Sequence, residues 1–396
     1  MDAEFLESPF MPGLPVTPDK FKGRTDDINK VIRYMPSVKN GKQKHFFITG
    51  KRGMGKTSFV KYIGDRVENQ YQITSIYINN DGNDSLDLLV TKIIESTLKK
   101  YDTKGLSSKI KDILLKNVKS INYFGSGVTF KENNTDLVLS IRDGFSDFLK
   151  ELSKKLNKQE KGILFIIDDI NGLSNDEKFT SWYKSFTDTI NFYDEFIPIA
   201  FCLVGYQNEF DTLTIQNPSF SRIFERVNID YISNEDIGNF FIDAFSKLGI
   251  GFEDDYSLEL MINFAYGMPL AMQQIGESVF WLIENDKIDK ETVIKGIINA
   301  ANEFASKQIK SILNQIRSQD YENILIKLGG NNKYHFQKNE LKEILTDKEW
   351  NKISDFLIRA KKLGIIESTG RKNSGEYQFT NRLYYVYFMI QHLKIA

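Results

Sequence analysis

The eight residues Gly50-Lys-Arg-Gly-Met-Gly-Lys-Thr57 have the types and spacing of a phosphate-binding loop, G-x-x-x-x-G-K-[ST]. In such a loop the backbone N–H groups of the stretch holding Gly50, Arg52, Gly53, Met54 and Gly55 curl around phosphate oxygens. Lys56 supplies a point charge, and the Thr57 hydroxyl ligates Mg²⁺. The plainer reading is a glycine-rich turn with an incidental lysine. The setting argues against it: the octapeptide follows the apolar run His45-Phe-Phe-Ile-Thr49 and opens a helical pattern from Ser58 to about Glu68.

Ile163-Leu-Phe-Ile-Ile-Asp-Asp169 is the natural companion, because a strand beside a phosphate loop must end in a carboxylate that holds the Mg²⁺ water shell. Asp168 fits that place. Asp169 follows where a longer acid would polarise the attacking water, and its side chain is one methylene shorter than glutamate, so slow hydrolysis is expected. Taken alone, the Asp pair also reads as a strand-end turn with Asn171-Gly172. A further strand ends Leu203-Val-Gly-Tyr-Gln-Asn208, where Gln207 or Asn208 either touches the γ-phosphate or its water, or caps a loop. Ser221-Arg-Ile-Phe-Glu-Arg226 places Arg222 and Arg226 at i and i+4 of one expected helical face. These arginines either reach a neighbouring subunit's nucleotide or serve as intramolecular and solvated charge.

The elements that must position these residues follow an alternating rhythm. Apolar runs at His45–Thr49, Ile73–Ile78, Ile163–Ile167, Ile197–Val204 and Val227–Ile232 are separated by helix-period segments, which predicts a parallel sheet covered on both faces. Four of the eight prolines, Pro9, Pro12, Pro15 and Pro18, mark residues 1–20 as an extended arm lying along a surface. Thr25 is the expected N-cap of a helix reaching Tyr34, with Asp26 and Asp27 in its first turn. The P-loop core is expected over 21–232, with an insertion at 102–136 that includes a hairpin around Tyr123–Val128. An all-helical lid is expected over 233–316, opening at Ser233-Asn-Glu-Asp236 and broken at Gly249-Ile-Gly251 and Gly267-Met-Pro269. Residues 317–396 read as three short helices (321–328, 336–345, 349–363) and a hairpin, the pattern of a winged helix-turn-helix. Arg359, Lys361, Lys362, Arg371 and Lys372 bring positive charge to the end of its recognition helix and to its wing, where phosphates would be met, diluted by Asp347, Glu349, Asp355 and Glu367. The aromatic stretch Leu383-Tyr-Tyr-Val-Tyr-Phe-Met389 reads as the packing face of a final helix.

With these motifs in this order, the chain resembles AAA+ ATPases of the initiator-like (origin-recognition-like) and STAND branches over nearly its whole length. The fold class this implies is an α/β P-loop NTPase core with a parallel sheet of the additional-strand type, a helical lid and a winged helix. The arm and Phe21-Lys-Gly-Arg24 resemble the adenine-side box, which assigns Phe21, Gly23 and Arg24 to cofactor binding. Gly267-Met-Pro-Leu-Ala271 resembles the G-x-P-L motif in which Pro269 lies near adenine. The lid arginine that initiators use to sense nucleotide is replaced by an apolar residue within Met268-Pro-Leu-Ala-Met272, which favours a nucleotide-locked switch. The resemblance implies ATP or ADP with Mg²⁺ and homo-oligomers on ATP binding. It also implies a protein effector or, in the rival reading, a DNA initiator or loader contacting duplex through the winged helix. A small-molecule P-loop kinase is disfavoured, because nothing after the core resembles an acceptor pocket with lid arginines.

Composition bounds these readings. A length of 396 residues predicts two to three domains, and 30 Phe with 18 Tyr supply ample apolar surface for packed cores. Lys plus Arg number 52 against 53 Asp plus Glu, so any attraction to nucleic acid must come from a local patch. The single cysteine, Cys202, has no partner for a disulfide, and no apolar stretch is long enough to span a membrane. Together with the acidic opening Met1-Asp-Ala-Glu-Phe5, this predicts a soluble, cytoplasmic protein without membrane partners.

Overall fold

The computed structural model describes residues 7–81, 85–102, 142–154, 161–192, 196–369 and 375–395. The insertion expected after residue 102, its hairpin, and the basic pair Arg371 and Lys372 lie outside these residues. The chain forms two compact units. One spans Pro15–Asp230; the other joins the residues up to Leu14 with those from Tyr231 onward.

The first unit is built on five parallel strands, β1 (Lys44–Gly50), β2 (Ile73–Asn79), β3 (Gly162–Asp168), β4 (Ile199–Val204) and β5 (Phe224–Ile229), in the order β2-β3-β4-β1-β5. β1, β3 and β4 are buried almost throughout, which is why they read as continuous apolar runs. Strand β4 separates the phosphate-loop strand from the carboxylate strand, and the register sets Ile48 and Asp168 level with the same residue, Val204. The end of β3 is thereby brought to the height of the phosphate loop, two strand spacings or about 10 Å across. One face of the sheet carries a large aromatic core in which Phe165, Phe201, Tyr183 and Phe186 pack together, with Tyr183 also hydrogen-bonded to His45.

Helices α1 (Thr25–Ile32), α2 (Met35–Lys39), α3 (Lys56–Tyr71) and α4 (Leu86–Asp102) belong to this unit. The cap of α1 is Arg24 in a left-handed conformation, not Thr25, which is already the first helical residue. Strand β5 begins at Phe224, three residues before the expected Val227. As an edge strand it tolerates the charged pair Glu225 and Arg226, and Glu225 is neutralised by Lys44 and Arg33.

In the second unit, helices Asn234–Ser246, Asp255–Ala265, Pro269–Phe280 and Lys290–Phe304 form a helical module with two two-residue strands, β6 (Gly251–Phe252) and β7 (Lys287–Ile288). Ser233 caps the first of these helices through Asp236 N–H, and Pro269 occupies the first turn of the third. Residues 7–14 lie along this module, with Phe10 buried against it. The C-terminal part pairs β8 (His335–Gln337), β10 (Glu376–Phe379) and β9 (Ile366–Ser368) antiparallel, in that order, beside helices Gln319–Gly330, Ile353–Lys362 and Arg382–Ile395. Residues 336–345 are therefore not one helix. Phe336 alone is buried between exposed His335 and Gln337, a period-two pattern that makes strand β8, and a 3₁₀ segment Lys338–Glu343 follows.

Candidate functional site

The phosphate loop links β1 to α3. Gly53 and Gly55 adopt φ of 83° and 79°, left-handed values that a side chain would strain, so the motif's glycines are required where they stand. Met54 between them is fully buried, and its carbonyl accepts a hydrogen bond of 2.9 Å from the buried Arg24 guanidinium. Arg24 thus braces the back of the loop. Gly23 and Arg24 both have positive φ, and Phe21 stacks on Tyr62 of α3 with ring centroids 4.7 Å apart. The segment assigned to the adenine side is therefore packed on α3 and the loop. Ser58, which follows the octapeptide and is a further cofactor-binding candidate on the loop's helix, accepts the Val16 N–H at 3.2 Å. Arg52 is exposed and Thr57 half-buried at the start of α3.

Lys56 folds back over its own loop, donating to the carbonyls of Gly50 at 2.8 Å and Lys51 at 3.2 Å, with its ammonium 4.2 Å from the centre of the Tyr206 ring. Burial lowers its pKa, while the nearby carboxylates Asp168, Glu209 and Asp169 pull the other way. The lysine and the strand-end acids thus share one electrostatic environment.

Asp168 is 5% exposed and accepts a 2.6 Å hydrogen bond from the Tyr77 hydroxyl. Burial and this bond raise the Tyr77 pKa, so the phenol stays protonated and donating. Asp169 sits at φ 63°, a conformation aspartate and asparagine tolerate better than most residues. Its carbonyl receives the Asn80 side-chain amide at 3.1 Å, and the Asn80 N–H bonds the Asp168 carbonyl at 2.9 Å. Burial, and then repulsion from Asp168, raise the Asp169 pKa.

At the end of β4 the side chains divide by burial. Gln207 and Asn208 are exposed on the first turn of helix Gln207–Gln216, and Gln207 bonds Asp211 at 2.7 Å. The residues turned inward are Tyr206 and Glu209. Glu209 is 5% exposed, accepts the Tyr206 N–H at 2.7 Å, and has its pKa raised by burial. A glutamate three residues after a strand-end Gly-Tyr is the capping pattern that could have pointed to it. Arg222 and Arg226 do not share a helical face: Arg222 lies in the short helix Phe220–Ile223 and Arg226 in β5, over the Phe210 ring. Pro269 belongs to the other compact unit.

A magnesium ion suits this donor set. Mg²⁺ bound with a nucleotide takes few protein oxygens, and the Thr57 hydroxyl and the Asp168 carboxylate, the latter 5% exposed and held by Tyr77, are the oxygens that would serve it.

A parallel sheet of this order, with a glycine-bent loop entering a helix opposite a buried acidic strand end, defines a P-loop NTPase core. More particularly, residues 24–183 match the KAP family P-loop domain. The ORC2 protein of Aeropyrum pernix, solved in ADPNP–ADP complexes, is similar in structure, with a TM-score of 0.58 at 14% identity, covering 96% of this chain and 97% of that one. A Walker-type ATPase of Pyrococcus abyssi gives a TM-score of 0.57 at 14% identity, covering 94% and 97%. The ORC1 protein of A. pernix in complex with DNA gives 0.50 at 14%, covering 99% of each chain. No curated protein matches in sequence. Among the described residues no helix is long and apolar enough to cross a membrane.

Proposed function

We propose that the protein binds ATP and hydrolyses it slowly, acting as a nucleotide-dependent switch of the AAA+ and STAND kind that assembles with further copies or regulates a protein effector. The observation that carries this reading is the environment of Lys56. A half-buried ammonium rests on loop carbonyls and an aromatic ring within the field of Asp168, Asp169 and Glu209. Phosphate oxygens would replace the carbonyls as its partners, at the N-terminal end of α3.

Magnesium, when bound, neutralises phosphate charge. Asp168 and Thr57 hold it, Tyr77 fixes the rotamer of Asp168, and Asp169 orients the attacking water through its short side chain. The remaining roles follow the resemblance: Pro269 near adenine, the residues from Ser233 to Ile316 as a lid, the C-terminal residues as a winged helix, and Arg222 or Arg226 acting on a neighbour's γ-phosphate. The experiment is ATP titration by calorimetry together with phosphate release. Asp169→Asn should keep binding and lower turnover, and a wild-type rate in that variant would reject its role. Turnover per subunit should rise with protein concentration, and Arg222→Ala or Arg226→Ala should flatten that rise.

A second reading, duplex DNA held by the C-terminal part, draws on one observation. Glu349 is withdrawn from the surface into a 2.6 Å pair with Lys327, which leaves Arg359, Lys361 and Lys362 less opposed at the end of helix Ile353–Lys362. Salt-dependent binding of a duplex would support it, and its absence at low salt would remove it.

A further inference from the structure

The N-terminal arm makes a socket-and-plug contact that the nucleotide site does not use. Phe10 is 4% exposed, with its ring 5.8, 6.4 and 5.2 Å from those of Phe240, Phe241 and Phe245 on helix Asn234–Ser246. Its far wall is Gly276 of helix Pro269–Phe280, where a Cβ would stand 2.3 Å from the Phe10 ring. Nothing larger than glycine admits the ring there. Two polar contacts fix the register: Met11 N–H donates to the Gln273 side chain at 2.7 Å, and the Ser8 hydroxyl donates to Glu277.

The segment holding this plug differs from it in every respect. Residues 12–15 are Pro-Gly-Leu-Pro, with Leu14 66% exposed and, among the described residues, one long hydrogen bond, Leu14 N–H to the Met11 carbonyl at 3.4 Å. Redirecting it therefore sacrifices little. Its two prolines favour an extended path, which can carry the docked segment to another chain as in domain swapping.

We propose that the socket between helices Asn234–Ser246 and Pro269–Phe280 accepts residues 8–11 of a second copy of this chain, so that subunits join by exchanging arms. Every contact of the plug is reproduced on exchange, since donor and acceptor surfaces are identical between copies. The fraction exchanged then rises with protein concentration against the effective concentration of the tethered arm. This interface is independent of the nucleotide reading and would stand if that reading failed.

The test traps exchange covalently. Ser8→Cys and Glu277→Cys are made as separate full-length chains and as a double variant, and the native Cys202 is buried and does not compete. The double variant should oxidise within one chain, which checks that the contact exists in solution. Its failure to do so overturns the proposal. Mixed single variants should give a disulfide-linked heterodimer on a non-reducing gel, increasing with concentration. Adding Phe10→Ala to the Ser8→Cys chain should lower that yield roughly tenfold or more, because a buried aromatic anchor is lost. Absence of the mixed cross-link, or a cross-link indifferent to Phe10→Ala, overturns arm exchange; the second result marks random collision.

Discussion

Charged side chains at the strand ends of the core and those around the C-terminal sheet are held in opposite ways. In the core, burial raises the pKa values of Asp169 and Glu209 and lowers that of Lys56, so the charged form of each is disfavoured relative to water. In the C-terminal part, Lys352 and Lys348 hold Asp320 below the usual carboxylate range, and Lys333 does the same for Glu340. Burial there would raise Glu349, but the hydrogen bonds from Lys327 and Thr346 outweigh it. One region has answered its own charges, and the other holds charge that a ligand would answer. That contrast locates the chemistry without reference to any motif.

The strongest way to break the comparison is Lys56→Ala. If the core holds its charge for phosphate, losing the ammonium should lower ATP affinity at least about tenfold, the worth of a charge-assisted contact of ~1.5–3 kcal/mol. Calorimetry showing unchanged affinity would end the phosphate-loop assignment. The complementary variant is Glu349→Ala, which strands Lys327 and the Thr346 N–H. It should cost about 1–3 kcal/mol of stability and leave ATP affinity alone. The folded pKa of Glu349 is depressed, so its contribution is present above the ordinary carboxylate pKa and lost as pH falls through the folded value. Denaturant melts of variant and wild type should therefore converge in acid, and a gap that persists there would break the pairing argument.

What the sequence disclosed follows the same division. The phosphate loop and Asp168-Asp169 were legible because their chemistry is local: glycines at fixed offsets, and acids ending an apolar run. Tyr77 and Asn80 were not, because each acquires its contacts from sheet order, whereas Glu209 was signalled only by a local capping pattern. Tyr77 matters only because β2 lies beside β3 in a register that pairs Tyr77 with Ile166, two residues before Asp168. Gln207 and Asn208 stand on the exposed side of a helical turn whose buried side carries Glu209. The error in grouping Arg222 with Arg226 has a similar cause, since an edge strand with charged residues lacks the apolar run that announces an interior strand.

Tyr77→Phe sharpens the comparison from within the core. It removes only the hydroxyl bonded to Asp168 and keeps the ring, so packing should hold. If that bond sets the carboxylate's rotamer for a metal, ATP affinity measured with Mg²⁺ should fall several-fold and affinity with EDTA should stay unchanged, as for partners that orient metal ligands. Equal loss under both conditions would make Tyr77 a structural residue alone.

The smallest effect expected is on stability without nucleotide, and its sign is the informative part. Asp169 is destabilised as an anion by burial and by Asp168, so its folded pKa lies above the unfolded value of ~3.9. A raised carboxyl pKa means that ionisation weakens the fold: the penalty begins as pH rises past the unfolded value and is complete above the folded one. Asp169→Asn removes the charge, and asparagine suits the φ of 63° at this position. The nucleotide-free variant should therefore melt about a degree or two above wild type at pH 7, a modest gain because the side chain is only partly buried. That gain should vanish as pH falls below the ordinary carboxylate range, where wild type is also neutral at this position. A variant less stable than wild type at pH 7, or a gain that ignores pH, would show that Asp169 is paid no such penalty, and the contrast between the two regions would then rest on Lys56 and Glu209 alone.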